Sequence, residues 1–146
     1  MWAWGAATIR NPAKDRMVKN IVYTQVLSCT VFQALENVAY LATKGVVDLS
    51  GQRIVTFYRW SSRFWAVHVA LEFLRLWRVR NLQQEEGKQD EKTELKWWRD
   101  IYVNAAWFPM TWHYSIDGGL ISETSVAALG LTAGVLGLKN AWKLTA

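Results

Sequence analysis

The sequence predicts an all-α protein with four main helices in two pairs, forming a membrane-associated helical bundle. Apolar residues recur at three- and four-residue steps, and no segment shows a convincing strand pattern. Glycine-containing turns separate the periodic segments. Ten tryptophans occur among 146 residues, and tryptophan is typical of membrane interfaces because it joins a large apolar ring to one N–H donor. A single domain over residues 1–146 fits this length.

The first pair of helices follows a short lead segment. Asn11 and Pro12 predict a helix start, because Asn caps free N–H groups and Pro fits the first turn. The helix is expected to continue over residues 13–44 until Gly45 stops it. A second helix is expected over residues 53–82. Its polar residues change sides along its length, which indicates that its two ends meet different surroundings.

A polar linker is predicted at residues 83–93 (QQEEGKQDEKT), the least hydrophobic segment of the chain. It divides the chain into a first helical pair, residues 1–82, and a second pair, residues 94–146. The third helix is expected over residues 94–114. Pro109 should kink this helix or end it early, because proline removes one N–H and clashes with the preceding turn.

The last helix follows a strong turn at residues 117–119 and extends to about Leu144. Ser122 or Thr124 can cap its start. Glycine costs about 1 kcal/mol relative to alanine inside a helix, so several glycines on one face indicate close packing of two helices. The helix-packing candidates are Gly130, Gly134 and Gly137.

Association with a membrane is predicted from the third and fourth helices. Their uncharged windows, residues 101–116 and 125–138, are shorter than the roughly 20 residues that cross a bilayer. Flanking Trp, Lys and Arg side chains can extend this reach by lying at the headgroup level. The membrane-interface candidates are Trp77, Arg78, Arg80, Trp97, Trp98, Trp142 and Lys143.

A group of ionisable residues is predicted to meet between the first two helices. Few other polar residues lie nearby, and helical spacing places the three residues of the second helix on one face. Two interpretations stay open: the residues pair and fix the register of the helices, or they line a path for solutes. The candidates for this buried polar network are Glu36, His68, Glu72 and Arg75.

The sequence predicts no enzyme, no metal site and no cofactor. His68 and His113 lie on different helices without paired ligand spacing. Cys29 is a lone cysteine in an apolar stretch without a neighbouring base, which predicts an inert thiol. The net charge of +5 is not concentrated in a run of Lys and Arg, so an anionic lipid surface is favoured over nucleic acid.

Four segments together resemble the C-terminal half of the peroxin-eleven family, especially its fungal branch. Their order and separations also match, and the resemblance covers most of the chain from about residue 13. The segments are QALENVAYLATKGVV (33–47), RWSSRFWAVHVALEFLRL (59–76), WWRDIYVNAAWFPMTWHYSIDGG (97–119) and ALGLTAGVLGLKNAWKL (128–144). Because the matching region starts almost at residue 1, the chain is expected to lack the N-terminal amphipathic region of longer family members.

The resemblance implies a protein of the peroxisomal membrane that promotes peroxisome elongation, proliferation and fission. Members of the family bind the membrane, self-associate into homo-oligomers, and cooperate with a fission machinery that includes a dynamin-like GTPase and its membrane receptor. Two alternatives from other classes remain. The chain could form a small-solute channel of the peroxisomal membrane, or it could be a soluble helical interaction domain.

Overall fold

The structure is a computed structural model that describes residues 2–87 and 90–145, without the side chains of residues 2, 3, 140 and 143–145. The all-α prediction is confirmed for this part, which contains five helices and no strand. The helices are α1 (Trp2–Arg10), α2 (Arg16–Thr43), α3 (Gly51–Glu85), α4 (Glu91–Ser115) and α5 (Glu123–Thr145).

The prediction of four helices is wrong because the segment assigned as a lead forms α1. The Asn11 N–H donates to the carbonyl of Ala7 at 2.9 Å, so Asn11 ends α1 and does not start α2. Pro12 cannot donate this kind of bond and disfavours helical backbone at the residue before it. The N-cap of α2 is Asp15, whose carboxylate accepts from the Val18 N–H at 2.8 Å.

Both helices beside the predicted linker are longer than expected. α3 continues to Glu85, and Asp90 caps α4 by accepting from the Thr93 N–H at 2.8 Å. The described residues between the two helices are 86, 87 and 90, and residues 88 and 89 lie outside the described part of the chain. Glu, Gln and Lys have good helix propensity, so these polar residues extend the helices at little cost.

Pro109 lies inside α4, and the helix continues to Ser115, so the expected early end does not occur. Proline removes the single bond that an N–H at this position would make to the Ala105 carbonyl. Packing of the neighbouring residue favours the continued helix, because the Phe108 ring meets the Phe73 ring of α3 edge to face at 5.9 Å.

The turn between α4 and α5 is built around His113. Gly118 and Gly119 adopt positive φ angles of 78° and 68°, which glycine reaches without a Cβ penalty. The chain then returns past the His113 ring, whose Nδ1 accepts from the N–H groups of Leu120 at 3.1 Å and Ile121 at 3.3 Å. His113 is buried, and its ring holds the segment that leads into α5.

Each helix packs against its neighbours in sequence, with α3 between α2 and α4, and α4 between α3 and α5. This serial arrangement leaves much of the surface of α3, α4 and α5 uncovered. The chain exposes 9969 Å², whereas a compact protein of 16.8 kDa exposes about 7,600 Å². Within residues 2–87 and 90–145, no helix combines the length and apolar content that crossing a membrane requires.

Candidate functional site

One side of the α3–α4 pair carries large apolar side chains that no other helix covers. Their spacing of three or seven residues along α3, and of three, four or ten residues along α4, places them in one stripe on each helix. Between the stripes runs a groove of about 320 Å³ that Val67, Ala70, Phe108 and Trp112 help to line. We call these stripes and the groove the groove face. Its exposed large apolar residues are Trp60, Val67, Leu74 and Trp77 on α3, and Leu95, Trp98, Tyr102, Trp112 and Ile116 on α4.

α5 carries a second uncovered apolar surface. Val126 and Ala133 are buried and lie on the side of α5 that packs towards α4. The opposite side carries Leu131, Val135, Leu138 and Trp142, and Trp142 is 72% exposed. We call these four residues the α5 stripe. An exposed row of this kind on one helix is typical of a surface that contacts another protein or a lipid.

Arginine–tryptophan contacts stand at both ends of the groove face. The Arg80 guanidinium lies 4.1 Å from the centroid of the Trp97 ring and pairs with Glu94 at 2.6 Å. At the other end, the Arg63 guanidinium lies 4.7 Å from the Trp60 ring centroid. Arg63 and Arg80 are seventeen residues apart on α3, which corresponds to about 26 Å. Each contact places a guanidinium charge over an indole ring.

The predicted membrane-interface residues differ in exposure and in their contacts. Trp77 and Trp98 are exposed on the groove face, whereas Trp97 is half-buried and donates its indole N–H to the Leu76 carbonyl at 3.0 Å. Arg78 leaves this face and pairs with Asp15 at 2.8 Å, which ties the C-terminal part of α3 to the cap of α2. The hydrogen bond from Arg78 lowers the pKa of Asp15 below its ordinary value.

The C-terminal interface candidates lie on α5. Trp142 belongs to the α5 stripe, and the Lys143 side chain lies outside the described part of the structure. The three glycines also differ. A Cβ on Gly130 would lie 3.5 Å from Cε of Met110 in α4, so this glycine faces the neighbouring helix. Gly134 and Gly137 face open space within a single chain.

Three of the four predicted network residues meet between α2 and α3. Arg75 donates from Nε to Glu72 Oε2 at 2.8 Å, and the side chain of Gln25 donates to the same oxygen at 2.9 Å and to the His68 carbonyl at 3.3 Å. The His68 ring Nδ1 lies 3.2 Å from the Cys29 Sγ. We call Gln25, Cys29, His68, Glu72 and Arg75 the polar cluster.

Glu36 does not belong to this cluster. α2 and α3 are antiparallel, and Glu36 lies eleven residues beyond Gln25, about 16 Å along the helix. Among the described residues, none forms a hydrogen bond or ion pair with the Glu36 carboxylate. The sequence analysis missed Gln25, which is fully buried. Its position was the available signal, because it follows Val18 and Ile21 at helical spacing and so shares their buried face.

Burial and ion pairing shift the pKa values of groups in the polar cluster in opposite directions. Burial alone would raise the pKa of Glu72, but the hydrogen bonds from Arg75 and Gln25 and the Arg75 charge outweigh it and lower this pKa. Burial lowers the pKa of His68, against the opposing charge of Glu72. Burial also raises the pKa of the Cys29 thiol. The cluster therefore holds an ionised Glu72–Arg75 pair beside a neutral imidazole and a protonated thiol at neutral pH.

Sequence comparison relates this chain to a yeast protein. The chain is 28% identical over 109 residues to a protein of Schizosaccharomyces pombe that is described as uncharacterized. The aligned region covers 68% of this chain and 52% of the yeast protein, so the chain spans about half the length of the relative that it matches. No family model matches the sequence. No solved structure shows a significant match.

Proposed function

We propose that this protein is a peroxisomal membrane protein that promotes elongation, proliferation and fission of the organelle through membrane binding and self-association. The organelle and its division come from the resemblance of four segments to the peroxin-eleven family. The membrane contact is supported by one observation, the uncovered groove face. Contiguous apolar patches on soluble monomers rarely exceed a few hundred Å², and larger ones mark contacts with proteins or membranes.

The groove face suits an interfacial position, in which helices lie along the membrane surface. Each Leu, Val or Phe side chain transferred from water to an apolar phase contributes about 1.5–3 kcal/mol. Trp60 and Trp98 stand near opposite ends of the face, and indole rings favour the headgroup level. Arg63 and Arg80 lie on these aromatic clusters, where a guanidinium can reach phosphate groups while its stem covers apolar surface.

Self-association is assigned in this proposal to α5. Leu131, Val135 and Leu138 of its stripe are exposed. Outside the stripe, Gly134 and Gly137 face open space, where the backbone of a second helix can approach. The alternative of a small-solute channel gains no support from the polar cluster, because Glu72 and Arg75 neutralise each other within one chain.

Vesicle flotation tests membrane contact with the purified chain. Wild-type protein should float with phosphatidylcholine vesicles. The partition coefficient of a Val67→Glu/Leu74→Glu variant should be at least about tenfold lower, because two apolar contacts become charges. The matched control is Leu27→Glu on α2, which changes an equally apolar residue that is 65% exposed but lies away from the groove face. Protein that stays unbound and monodisperse without detergent would contradict the membrane role and favour an interaction domain.

A fluorescent fusion expressed in a fungal cell tests the organelle. The fusion should co-localise with a peroxisomal matrix marker, and overproduction should elongate and multiply the marked organelles. The Val67→Glu/Leu74→Glu variant should lose this localisation, whereas Leu27→Glu should keep it. A diffuse cytosolic signal from the wild-type fusion refutes the peroxisomal assignment even if the purified protein binds vesicles.

A further inference from the structure

A cavity of about 600 Å³ opens beside the polar cluster, between α1, α2, α3 and α4. This volume lies within the range of pockets that hold small organic molecules. The lining combines aromatic rings from α1 and α2 with charged and amide groups from α2, α3 and α4. The lining includes Trp4 of α1, Arg75 of α3, Asn104 of α4 and, from α2, Lys19, Val22, Tyr23 and Cys29.

The charge that this cavity offers to a ligand is positive. Nε and Nη2 of Arg75 are engaged by Glu72, whereas no acceptor among the described residues binds Nη1. Lys19 lies with its ammonium 5.7 Å from the Tyr23 ring centroid, and in the described part of the chain no carboxylate pairs with it. Both oxygens of Glu72 already accept hydrogen bonds. The lining therefore presents free donors and a net charge of about +1.

The walls of the cavity suit a flat apolar body. Trp4 meets the His68 ring edge to face at 6.0 Å, so its position in the wall is fixed by an aromatic contact. The Tyr23 ring stands under the Lys19 ammonium. Both rings line the same cavity as Lys19 and Arg75, so an apolar body and an anionic group of one ligand have partners there.

We propose that this cavity binds a small organic anion, with its carboxylate or phosphate on Lys19 and Arg75 and its apolar body against Trp4 and Tyr23. The anionic group can belong to a free molecule or to a lipid headgroup, since both present the same oxygens. The inference does not depend on the membrane role proposed above.

Calorimetric titration of the purified full chain with 2-naphthoate tests the charge selection. 2-Naphthoate should bind at least about tenfold more tightly than 2-acetylnaphthalene, which has the same rings without the charge. Lys19→Gln should weaken 2-naphthoate binding about tenfold and leave 2-acetylnaphthalene binding unchanged. The matched control is Lys96→Gln, which removes the same charge from an exposed position on α4 and should change neither affinity. Equal binding of the two compounds, or equal effects of the two variants, overturns the proposal.

The position of the ligand can be checked through Cys29, which is the only cysteine of the chain and also lines the cavity. Bound 2-naphthoate should slow alkylation of this thiol by iodoacetamide. Val22→Trp, which fills the cavity from α2 without changing charge, should abolish 2-naphthoate binding while far-UV circular dichroism stays unchanged. Binding of 2-naphthoate without any protection of Cys29 places the ligand elsewhere and refutes the site.

Phosphatidylcholine vesicles with and without phosphatidate distinguish the two sources of the anion. Displacement of 2-naphthoate only by phosphatidate vesicles supports the cavity as a headgroup site. Displacement by neither vesicle, with the Lys19 dependence intact, supports a free anion.

Discussion

Replacing Gly119 with alanine perturbs the contact on which the α4–α5 turn is built. A Cβ at this position would lie 2.9 Å from Nε2 of the His113 ring and closer still to Cε1 and Nδ1. The ring must move, and it then loses the N–H groups of Leu120 and Ile121. Two hydrogen bonds contribute about 1 kcal/mol each, and a left-handed alanine costs about 1–2 kcal/mol. We expect the free energy of unfolding to fall by about 3–4 kcal/mol.

Gly118→Ala is the matched control for this change. Gly118 has a similar positive φ angle of 78°, but a Cβ there meets no atom within 4 Å. Its cost should therefore be the backbone cost alone, about 1–2 kcal/mol. In a His113→Ala background the ring is absent, so Gly119→Ala should cost no more than Gly118→Ala does. This double-mutant cycle isolates the contact between residue 119 and the ring.

Urea unfolding followed by far-UV circular dichroism measures these differences, with equal slopes required for the comparison. In the wild-type background, Gly119→Ala should lower the free energy of unfolding by about 2 kcal/mol more than Gly118→Ala does. Equal effects of the two alanines would refute the role assigned to the His113 ring. An undiminished Gly119→Ala effect after removal of His113 would refute it as well.

Three further predictions concern the polar cluster and α5. Glu72→Gln should lower the free energy of unfolding by about 1–3 kcal/mol because the Arg75 charge loses its partner. Glu72→Leu with Arg75→Met should cost only about 1 kcal/mol, because the buried Gln25 side chain loses its bond to Glu72 but keeps its bond to the His68 carbonyl. Chemical unfolding measures both changes. Burial holds the pKa of His68 below its ordinary 6.5. Since the unfolded chain then binds the proton first, the free energy of unfolding should fall as the pH drops below about 6.5. Thermal unfolding of His68→Gln across this pH range should show a smaller loss of stability than wild type, and an identical loss contradicts the prediction. Gly134→Ala and Gly137→Ala should each raise the free energy of unfolding by about 0.5–1 kcal/mol, since both glycines face open space. The same two variants should weaken self-association in analytical ultracentrifugation, and unchanged association would exclude these glycines from the contact between chains.

The sequence could predict most of the helices because helical spacing and turn residues are local signals. Gly45 and the Asp117–Gly119 turn separate the segments as expected. The predicted start of α2 failed because the sequence offers two adequate caps. Asn11 and Asp15 are both good N-cap residues, and only Asp15 gains the ion pair with Arg78 of α3. Pro109 was misjudged because its cost is local, whereas the packing of Phe108 that favours the continued helix comes from another helix.

The polar cluster was also predicted only as far as local sequence signals reach, and contacts between helices decided the rest. Helical spacing placed His68, Glu72 and Arg75 on one face of α3, because residues three or four apart are neighbours on a helix. Spacing within α3 carries no information about which residue of α2 stands opposite. That partner is Gln25 and not Glu36, because the register of the two helices is set by side-chain packing along their whole length, including the bond from Ser28 to the Phe64 carbonyl at 2.7 Å.

By itself, the sequence determined that this chain is helical, where the turns after α2 and α4 fall, and that it is rich in tryptophan and apolar helix surface. Those properties follow from the period of the side chains and from the residues that stop a helix. Only the tertiary structure decided which apolar residues remain uncovered. The helices pack in series, so Trp60, Leu74 and Trp112 are left exposed together on the groove face. The exposure of a side chain depends on which helix covers its surface, and contacts between residues far apart in sequence decide that.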